Sequence, residues 1–141
     1  MKVNVMDIKY KINAPISTEH FIDLLTRSTL GERRPLEDKK CIEGMISNSN
    51  LIISAWENDN LIGIARSVTD FHYACYLSDL ALSKSYQKKG IGKQLQIMTQ
   101  EQLGPKCKII LIAAPAANEY YEHLGFTNNP RCWMLERNAS I

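Results

Sequence analysis

The feature that most constrains the fold is a glycine-containing turn between an apolar run and an amphipathic run. Residues 77–82 read LSDLAL and residues 86–95 read YQKKGIGKQL; Ile91, Leu95 and Met98 then recur at helical spacing. This order predicts a strand that turns directly into a helix over residues 91–103, which Gly104 and Pro105 end. Such a unit is typical of proteins that combine a sheet with helices.

The same turn predicts a binding site for an anion. The first backbone N–H groups of a helix have no partner within it, and they lie at the positive end of the helix dipole. Glycines at 90 and 92 leave the backbone bare, and Lys88, Lys89 and Lys93 add positive charge. The turn fits neither the Rossmann fingerprint nor the P-loop, because leucine and glutamine occupy positions that those motifs reserve for glycine, serine or threonine. The residues alone leave two interpretations open, a phosphate site or a plain turn with solvated lysines.

The remaining patterns predict one sheet with helices on both sides, an α/β or α+β fold in a single domain over residues 1–141. A polar loop is expected over residues 28–35 and a hairpin at residues 58–60. The run KIILIA at residues 108–113 is apolar throughout, so we expect a strand covered on both faces. Strands are predicted over residues 3–12, 51–57, 61–69, 76–82, 108–113 and 132–136, and further helices after Pro15, after Pro35 and after Pro115.

Composition argues against several classes of protein. The chain has 141 residues, of which 45% are hydrophobic, and this suits one folded domain rather than a disordered segment. It has no apolar run of ~18 residues, and its first residues lack the apolar core of a signal peptide, so we expect a cytoplasmic protein with no membrane span. The net charge of +2 is far from that of a dedicated nucleic-acid binder. The four cysteines form no C-x-x-C pair, so no metal site is expected.

Two segments resemble the GNAT acyltransferase superfamily. QKKGIG at residues 87–92 matches that family's signature Gln/Arg-X-X-Gly-X-Gly/Ala, and LALS at residues 80–83 is similar to the strand before it. ANEYYEHLGF at residues 117–126 resembles the family's segment N-X-X-(Y/F)-Y-E-X-X-G-F. Two motifs in this order, separated by one helix and one strand, are more specific than either alone. The resemblance implies the GNAT fold, with a mixed, mostly antiparallel sheet and helices on both faces.

The resemblance also implies that acetyl-CoA is a cosubstrate. Leu80, Ala81 and Leu82 would pair with its pantetheine arm as though the arm were another strand. Asn118 would contact the arm from the far side. Backbone amides of the turn would hold the pyrophosphate, and the residues concerned are Gln87, Lys88, Lys89, Gly90, Ile91, Gly92 and Lys93.

Four further residues are candidates for catalysis and acceptor binding. Tyr121 matches the family tyrosine that protonates the departing thiolate and contacts the cosubstrate, and a phenol near a thiol with a pKa near ~8.5 can supply that proton. Asp79, on the strand before the turn, is the candidate base for the acceptor amine. Glu32 and Arg33 lie in a region that commonly lines the acceptor site of the family. The alternatives are a structural carboxylate at residue 79 and a merely solvated loop.

The leading hypothesis is an N-acetyltransferase that passes an acetyl group directly to a primary amine of a small molecule. It needs no covalent intermediate, in keeping with the lack of a nucleophile motif. A protein or peptide acceptor, or a non-catalytic acyl-CoA-binding module, are the alternatives. The expected partners are acetyl-CoA and a small amine, without nucleic acid or membrane, and a homodimer is possible by resemblance.

Overall fold

A five-stranded sheet organises the chain, and the structure, a computed structural model, describes residues 7–141. The first four strands pair with one another in antiparallel orientation, and the fifth is parallel to the fourth. The predicted mixed, mostly antiparallel sheet is therefore confirmed. In their order across the sheet, the strands are β1 (Ile8–Ile12), β2 (Leu51–Glu57), β3 (Asn60–Thr69), β4 (Ala74–Leu82) and β5 (Lys108–Ile110).

Helices cover both faces of this sheet. They are α1 (Thr18–Arg27), α2 (Lys39–Ser47), α3 (Ile91–Glu101) and α4 (Asn118–His123). Phe21 of α1 belongs to one buried cluster with Ile64 of β3, whereas Leu95 of α3 belongs to a second cluster with Ile53 of β2. Because side chains alternate along a strand, consecutive residues of β2 and β3 supply both clusters. This double burial explains why these two antiparallel strands have nearly continuous apolar sequences.

Local signals fix several element boundaries as predicted. The Ser17 side chain accepts a hydrogen bond from the backbone N–H of His20 and begins α1. The β2–β3 hairpin closes with residues 57 and 60 paired, and Asn58 adopts a positive φ of 54°. Helix α3 begins at the predicted residue and ends at Glu101, two residues early. Of the first predicted strand, residues 3–6 lie outside the described residues and Ile8–Ile12 is confirmed.

Two predicted strands differ from the structure. β5 covers only three residues of the predicted segment 108–113, and its burial alternates, with Ile110 being 42% exposed and Ile112 46%. The strand predicted over residues 132–136 is wrong, because none of these residues joins the sheet and Trp133 is 90% exposed. An apolar run becomes a strand only where a neighbour offers backbone hydrogen bonds, and the sheet supplies none to this run.

The segment predicted as a polar loop is more ordered than expected. Thr29–Arg33 forms a 3₁₀ turn, and the Ser28 side chain accepts a hydrogen bond from the N–H of Leu30 at its start. Leu30 and Leu36 are partly buried and pack against the cluster that contains Phe21. The prediction of a loop missed this turn because short 3₁₀ segments lack a hydrophobic periodicity. Within residues 7–141, no helix is long and apolar enough to cross a membrane.

Candidate functional site

Strand β4 has a bulge at its centre and an open edge beyond it. Opposite β3, Arg66 pairs with Asp79 but Ser67 pairs with Leu77, so Ser78 is an extra residue on β4. On the other side, β5 pairs with β4 only over residues 74–76. Over residues 77–82 that edge is therefore not paired with β5. An extended ligand that carries amides can add to such an edge as another strand.

The first turn of α3 begins just past the end of this edge. Gly90 is the N-cap residue with a φ of 83°, and no side chain caps the helix. The first intrahelical bond runs from the N–H of Gln94 to the carbonyl of Gly90 at 3.1 Å. The N–H groups of residues 91–93 accordingly have no acceptor within the helix. They form, with the helix dipole, a ready site for an anion.

The residues around this turn add positive charge and fix its position. Lys88, Lys89 and Lys93 are exposed around it. The Gln87 side-chain amide donates to the carbonyl of Leu82 at 3.2 Å, which fixes the turn to the end of β4. The predicted pyrophosphate residues 87–93 and the predicted arm-binding residues 80–82 therefore meet at one end of β4. We call residues 87–93 the cradle.

Helix α3 and strand β4 approach each other closely at Gly92. A Cβ at this position would lie 3.2 Å from Leu82 Cδ1 and 3.4 Å from the Tyr120 hydroxyl oxygen. A side chain at this position would therefore require the end of the Leu82 side chain to shift by a few tenths of an ångström. The second glycine of the Gly-X-Gly motif thus permits close packing, whereas the first permits the left-handed backbone.

The two adjacent tyrosines of α4 have different environments. The Tyr120 hydroxyl accepts a hydrogen bond from the Gln96 side-chain amide at 3.2 Å, so it ties α4 to α3. The Tyr121 ring makes edge contacts with Tyr120 and with Phe126, at centroid distances of 5.2 and 5.4 Å. Burial raises the pKa of Tyr121 to about 12, with a smaller contribution from Tyr120. Asn118, the first residue of α4, is exposed.

Two other kinds of site are conceivable, a pocket away from the cradle and a metal site. A pocket of about 520 Å³ lies between the β1–α1 connection and the end of α2, and none of the cradle residues lines it. In the part of the chain that the structure describes, no group of three or more His, Cys, Asp or Glu residues is placed to hold a metal ion. The cradle and the adjoining β4 edge therefore form the best-defined candidate site.

Comparison with known proteins decides the family. The acetyltransferase (GNAT) domain family matches residues 31–131. The chain belongs to the GNAT acetyltransferase family. A relative from Gracilaria tenuistipitata var. liui, named an uncharacterized N-acetyltransferase, is 31% identical over 114 residues, or 79% of this chain. The chain spans 63% of the length of that curated relative.

Solved structures confirm the GNAT fold. A structure described as a probable acetyltransferase from methicillin-resistant Staphylococcus aureus superposes with a TM-score of 0.74 at 22% identity, covering 94% of this chain and 99% of that chain. An aminoglycoside N-acetyltransferase in complex with CoA superposes with a TM-score of 0.70 at 16% identity, covering 94% and 95%. At these identities the likeness is evidence for the fold.

In this GNAT chain, Asp79 is the centre of a buried ion cluster. Its side chain is 0% exposed, and one carboxylate oxygen accepts from Arg34 Nε at 2.6 Å while the other accepts from Arg66 Nε. Arg66 also donates to the hydroxyls of Ser78 and Ser49. A carboxylate held this way is closed to an acceptor amine. These contacts therefore oppose the general-base role predicted for Asp79 and favour the structural alternative.

The predicted acceptor residues lie on the 3₁₀ turn. Glu32 and Arg33 are exposed, and the next residue, Arg34, connects the turn to β4. Sequence reasoning placed Arg34 in the same polar loop but did not identify its partner. A signal was present, because an aspartate within the apolar run of β4 and Arg66 within the apolar run of β3 both need a buried partner.

Proposed function

We propose that this GNAT domain transfers an acetyl group from acetyl-CoA to a primary amine of a small molecule. The observation that carries the proposal is the open edge of β4, which leads directly to the unpaired first-turn N–H groups of α3. One end of the sheet thus offers backbone partners for an amide-bearing arm and a positive dipole for a pyrophosphate. Family membership and a CoA-bound structural neighbour support the same cosubstrate.

The chemistry is a direct acyl transfer. The neutral amine nitrogen attacks the thioester carbonyl carbon, a C–N bond forms and the C–S bond breaks, with the electron pair leaving on sulfur. The Tyr121 hydroxyl protonates the thiolate. The proton lost by the nitrogen passes to water, and solvent restores the phenol proton. Holding both substrates on one surface removes the need for a covalent enzyme intermediate.

The environment of Tyr121 sets a condition on this step. A pKa of about 12 keeps the phenol protonated at neutral pH, so it is always ready to donate. Transfer to a fully hydrated thiolate would be unfavourable, because a free thiol has a pKa near ~8.5. Burial penalises a thiolate as well as a phenolate. The proposal therefore requires that the thiolate form in the same poorly solvated surroundings as the Tyr121 ring.

The proposed acceptor class rests on the exposed side chains of the 3₁₀ turn. Arg33 suits a carboxylate or phosphate on the acceptor, and Glu32 suits a second cationic group. The CoA-bound neighbour is described as an aminoglycoside N-acetyltransferase. A protein or peptide amine is the second hypothesis, and a non-catalytic acyl-CoA-binding module is the third.

A thiol-release assay tests this proposal. Purified protein is incubated with acetyl-CoA and a panel of small primary amines, with lysine-containing peptides as a separate arm. We expect amine-dependent release of CoA thiol, and Tyr121→Phe should lower turnover by about tenfold or more because it removes the acid. Tyr73→Phe is the matched control, since Tyr73 is 65% exposed in the β3–β4 connection and its ring contacts Lys108.

Each outcome of this assay separates the hypotheses. Unchanged turnover in Tyr121→Phe would refute its role as the acid. Release with peptides and with no small amine would support the protein acceptor. Saturable acetyl-CoA binding without release by any acceptor would favour the binding module. An equal loss in Tyr73→Phe would show that the effect of removing a hydroxyl is not specific to residue 121.

A further inference from the structure

The 3₁₀ turn Thr29–Arg33 is attached to the bulge of β4 by one side chain. All three nitrogens of the Arg34 guanidinium donate hydrogen bonds: Nε to Asp79 at 2.6 Å, Nη2 to the carbonyl of Ser78 at 2.8 Å and Nη1 to the carbonyl of Arg33 at 2.8 Å. The Arg34 side chain is only 20% exposed. The guanidinium of Arg34 therefore binds the bulge residue Ser78, its neighbour Asp79 and the 3₁₀ turn at the same time.

Asp79 does not depend on Arg34 for its position. Arg66 pairs with the other carboxylate oxygen from within the fold and donates to the hydroxyl of Ser78. Arg66 is also tied to α2 through the carbonyl of Met45 and to the following residues through Ser49. Loss of Arg34 would thus leave Asp79 paired and the bulge supported. The two bonds from Arg34 to β4 attach the turn to the strand, whereas the bonds from Arg66 hold the strand itself.

Hydrogen bonds of backbone N–H groups at the start and end of the turn fix its own shape, but they do not reach β4. Leu30 and Leu36 pack against a buried apolar cluster, and Arg34 lies between them in sequence. Apolar contacts are non-directional, so they keep the turn on the surface without fixing its orientation. A guanidinium with three bonds in one plane fixes orientation. Because the Arg33 carbonyl accepts a hydrogen bond from Arg34, the orientation of Arg34 also sets that of the exposed side chains of Glu32 and Arg33.

We propose that Arg34 is a positioning residue, which holds the acceptor-facing turn on the β4 bulge beside the edge where the acyl group would lie. This inference rests on the proposed function. It assigns Asp79 to anchoring, and it assigns acceptor recognition to a turn that the Arg34 side chain attaches to β4. Removal of Arg34 affects the binding of the acceptor and leaves the binding of acetyl-CoA intact, because the three hydrogen bonds of its guanidinium involve no cradle residue.

The test compares Arg34→Ala and Arg34→Lys with the control Lys39→Ala. Lys39 is a cation at the start of α2, and it is 65% exposed and paired with exposed Glu19. Three quantities are measured: hydrogen exchange of the amides of residues 29–36, the Kd for acetyl-CoA, and KM and kcat for an amine found in the thiol-release screen. Lysine keeps the charge but cannot reproduce the planar set of three bonds.

We expect Arg34→Ala to speed the exchange of residues 29–36 and to raise the acceptor KM by about tenfold or more, with the acetyl-CoA Kd changed by less than about twofold. Arg34→Lys should be intermediate, and Lys39→Ala should match the wild type. In an active wild-type enzyme, an unchanged acceptor KM in Arg34→Ala would overturn the proposal. So would a parallel loss of acetyl-CoA affinity, since that would indicate general damage to the fold.

Asp79→Asn separates anchoring from base catalysis. If Asp79 anchors Arg34, this variant raises the acceptor KM and leaves the shape of the pH–rate profile unchanged. If Asp79 is the base, kcat falls and the dependence on pH changes, and the positioning proposal is overturned. Failure of the proposed function itself gives a different result, because the wild type would then neither bind acetyl-CoA nor release thiol.

Discussion

Two glycines of this chain provide a matched pair for testing the cradle. Gly90 has a φ of 83° and Gly125 a φ of 94°, and a Cβ at either position would have no other heavy atom within 4 Å. Alanine would therefore meet no steric clash at either site, and its cost would be the left-handed backbone alone. That cost is roughly 1–2 kcal/mol per residue. Gly90 is the N-cap of α3, whereas Gly125 follows α4.

Gly90→Ala and Gly125→Ala should lower the free energy of unfolding by similar amounts, about 1–2 kcal/mol each in urea titrations. Their effects on acetyl-CoA should differ. Because alanine disfavours the left-handed backbone at residue 90, it shifts the turn towards rotated conformations, in which the N–H groups of residues 91–93 are displaced. We expect its acetyl-CoA Kd to rise about tenfold or more, against less than about threefold for Gly125→Ala. Wild-type affinity in Gly90→Ala, or an equal loss in both variants, would refute the cradle as the anion site.

Two further predictions concern buried charge and pH. Arg66→Met leaves the buried carboxylate of Asp79 with Arg34 as its partner, and the loss of the charge-assisted bonds should lower the free energy of unfolding by about 1.5–3 kcal/mol in urea titrations. A loss under about 0.5 kcal/mol would contradict the cluster. Asp70 accepts hydrogen bonds from three backbone N–H groups, and these lower its pKa from 3.8 to about 2. The N–H of Tyr73 makes the largest contribution. The folded-state pKa is the lower one, so the ionised form favours folding above pH 3.8, and this stabilisation is lost as the pH falls through about 2. The stability difference between wild type and Asp70→Asn should shrink over that window, and a difference constant from pH 5 to pH 2 would contradict the assignment.

Features encoded by neighbouring residues could be predicted from the sequence. The strand–turn–helix unit around the cradle follows from an apolar run, two glycines and a helical periodicity, all within about 25 residues. The hairpin at Asn58 and the start of α1 at Ser17 follow from turn and cap chemistry. These signals are local, so they do not depend on how distant segments meet.

Features that depend on distant partners could not be predicted in the same way. The pattern of residues 108–113 and 132–136 shows apolar runs, but the length of pairing is set by the neighbouring strand, and β5 pairs over three residues only. The partners of Asp79 lie 45 and 13 residues away in sequence. The apolar run around Asp79 predicts that it needs a cation, but it does not say which one. The base role of Asp79 stays a prediction, and the Asp79→Asn variant compares it with the proposed anchoring role.

The central claim is that the cradle and the β4 edge bind acetyl-CoA, and a thermal-shift titration with ATP and NAD as controls tests it most directly. Ligand at ~100 times its Kd stabilises a fold by about 2.7 kcal/mol. For a domain of this size, we predict a rise in Tm of roughly 5–10 °C with acetyl-CoA and none with the controls. No shift at millimolar acetyl-CoA, or an equal shift with all three ligands, would contradict the account.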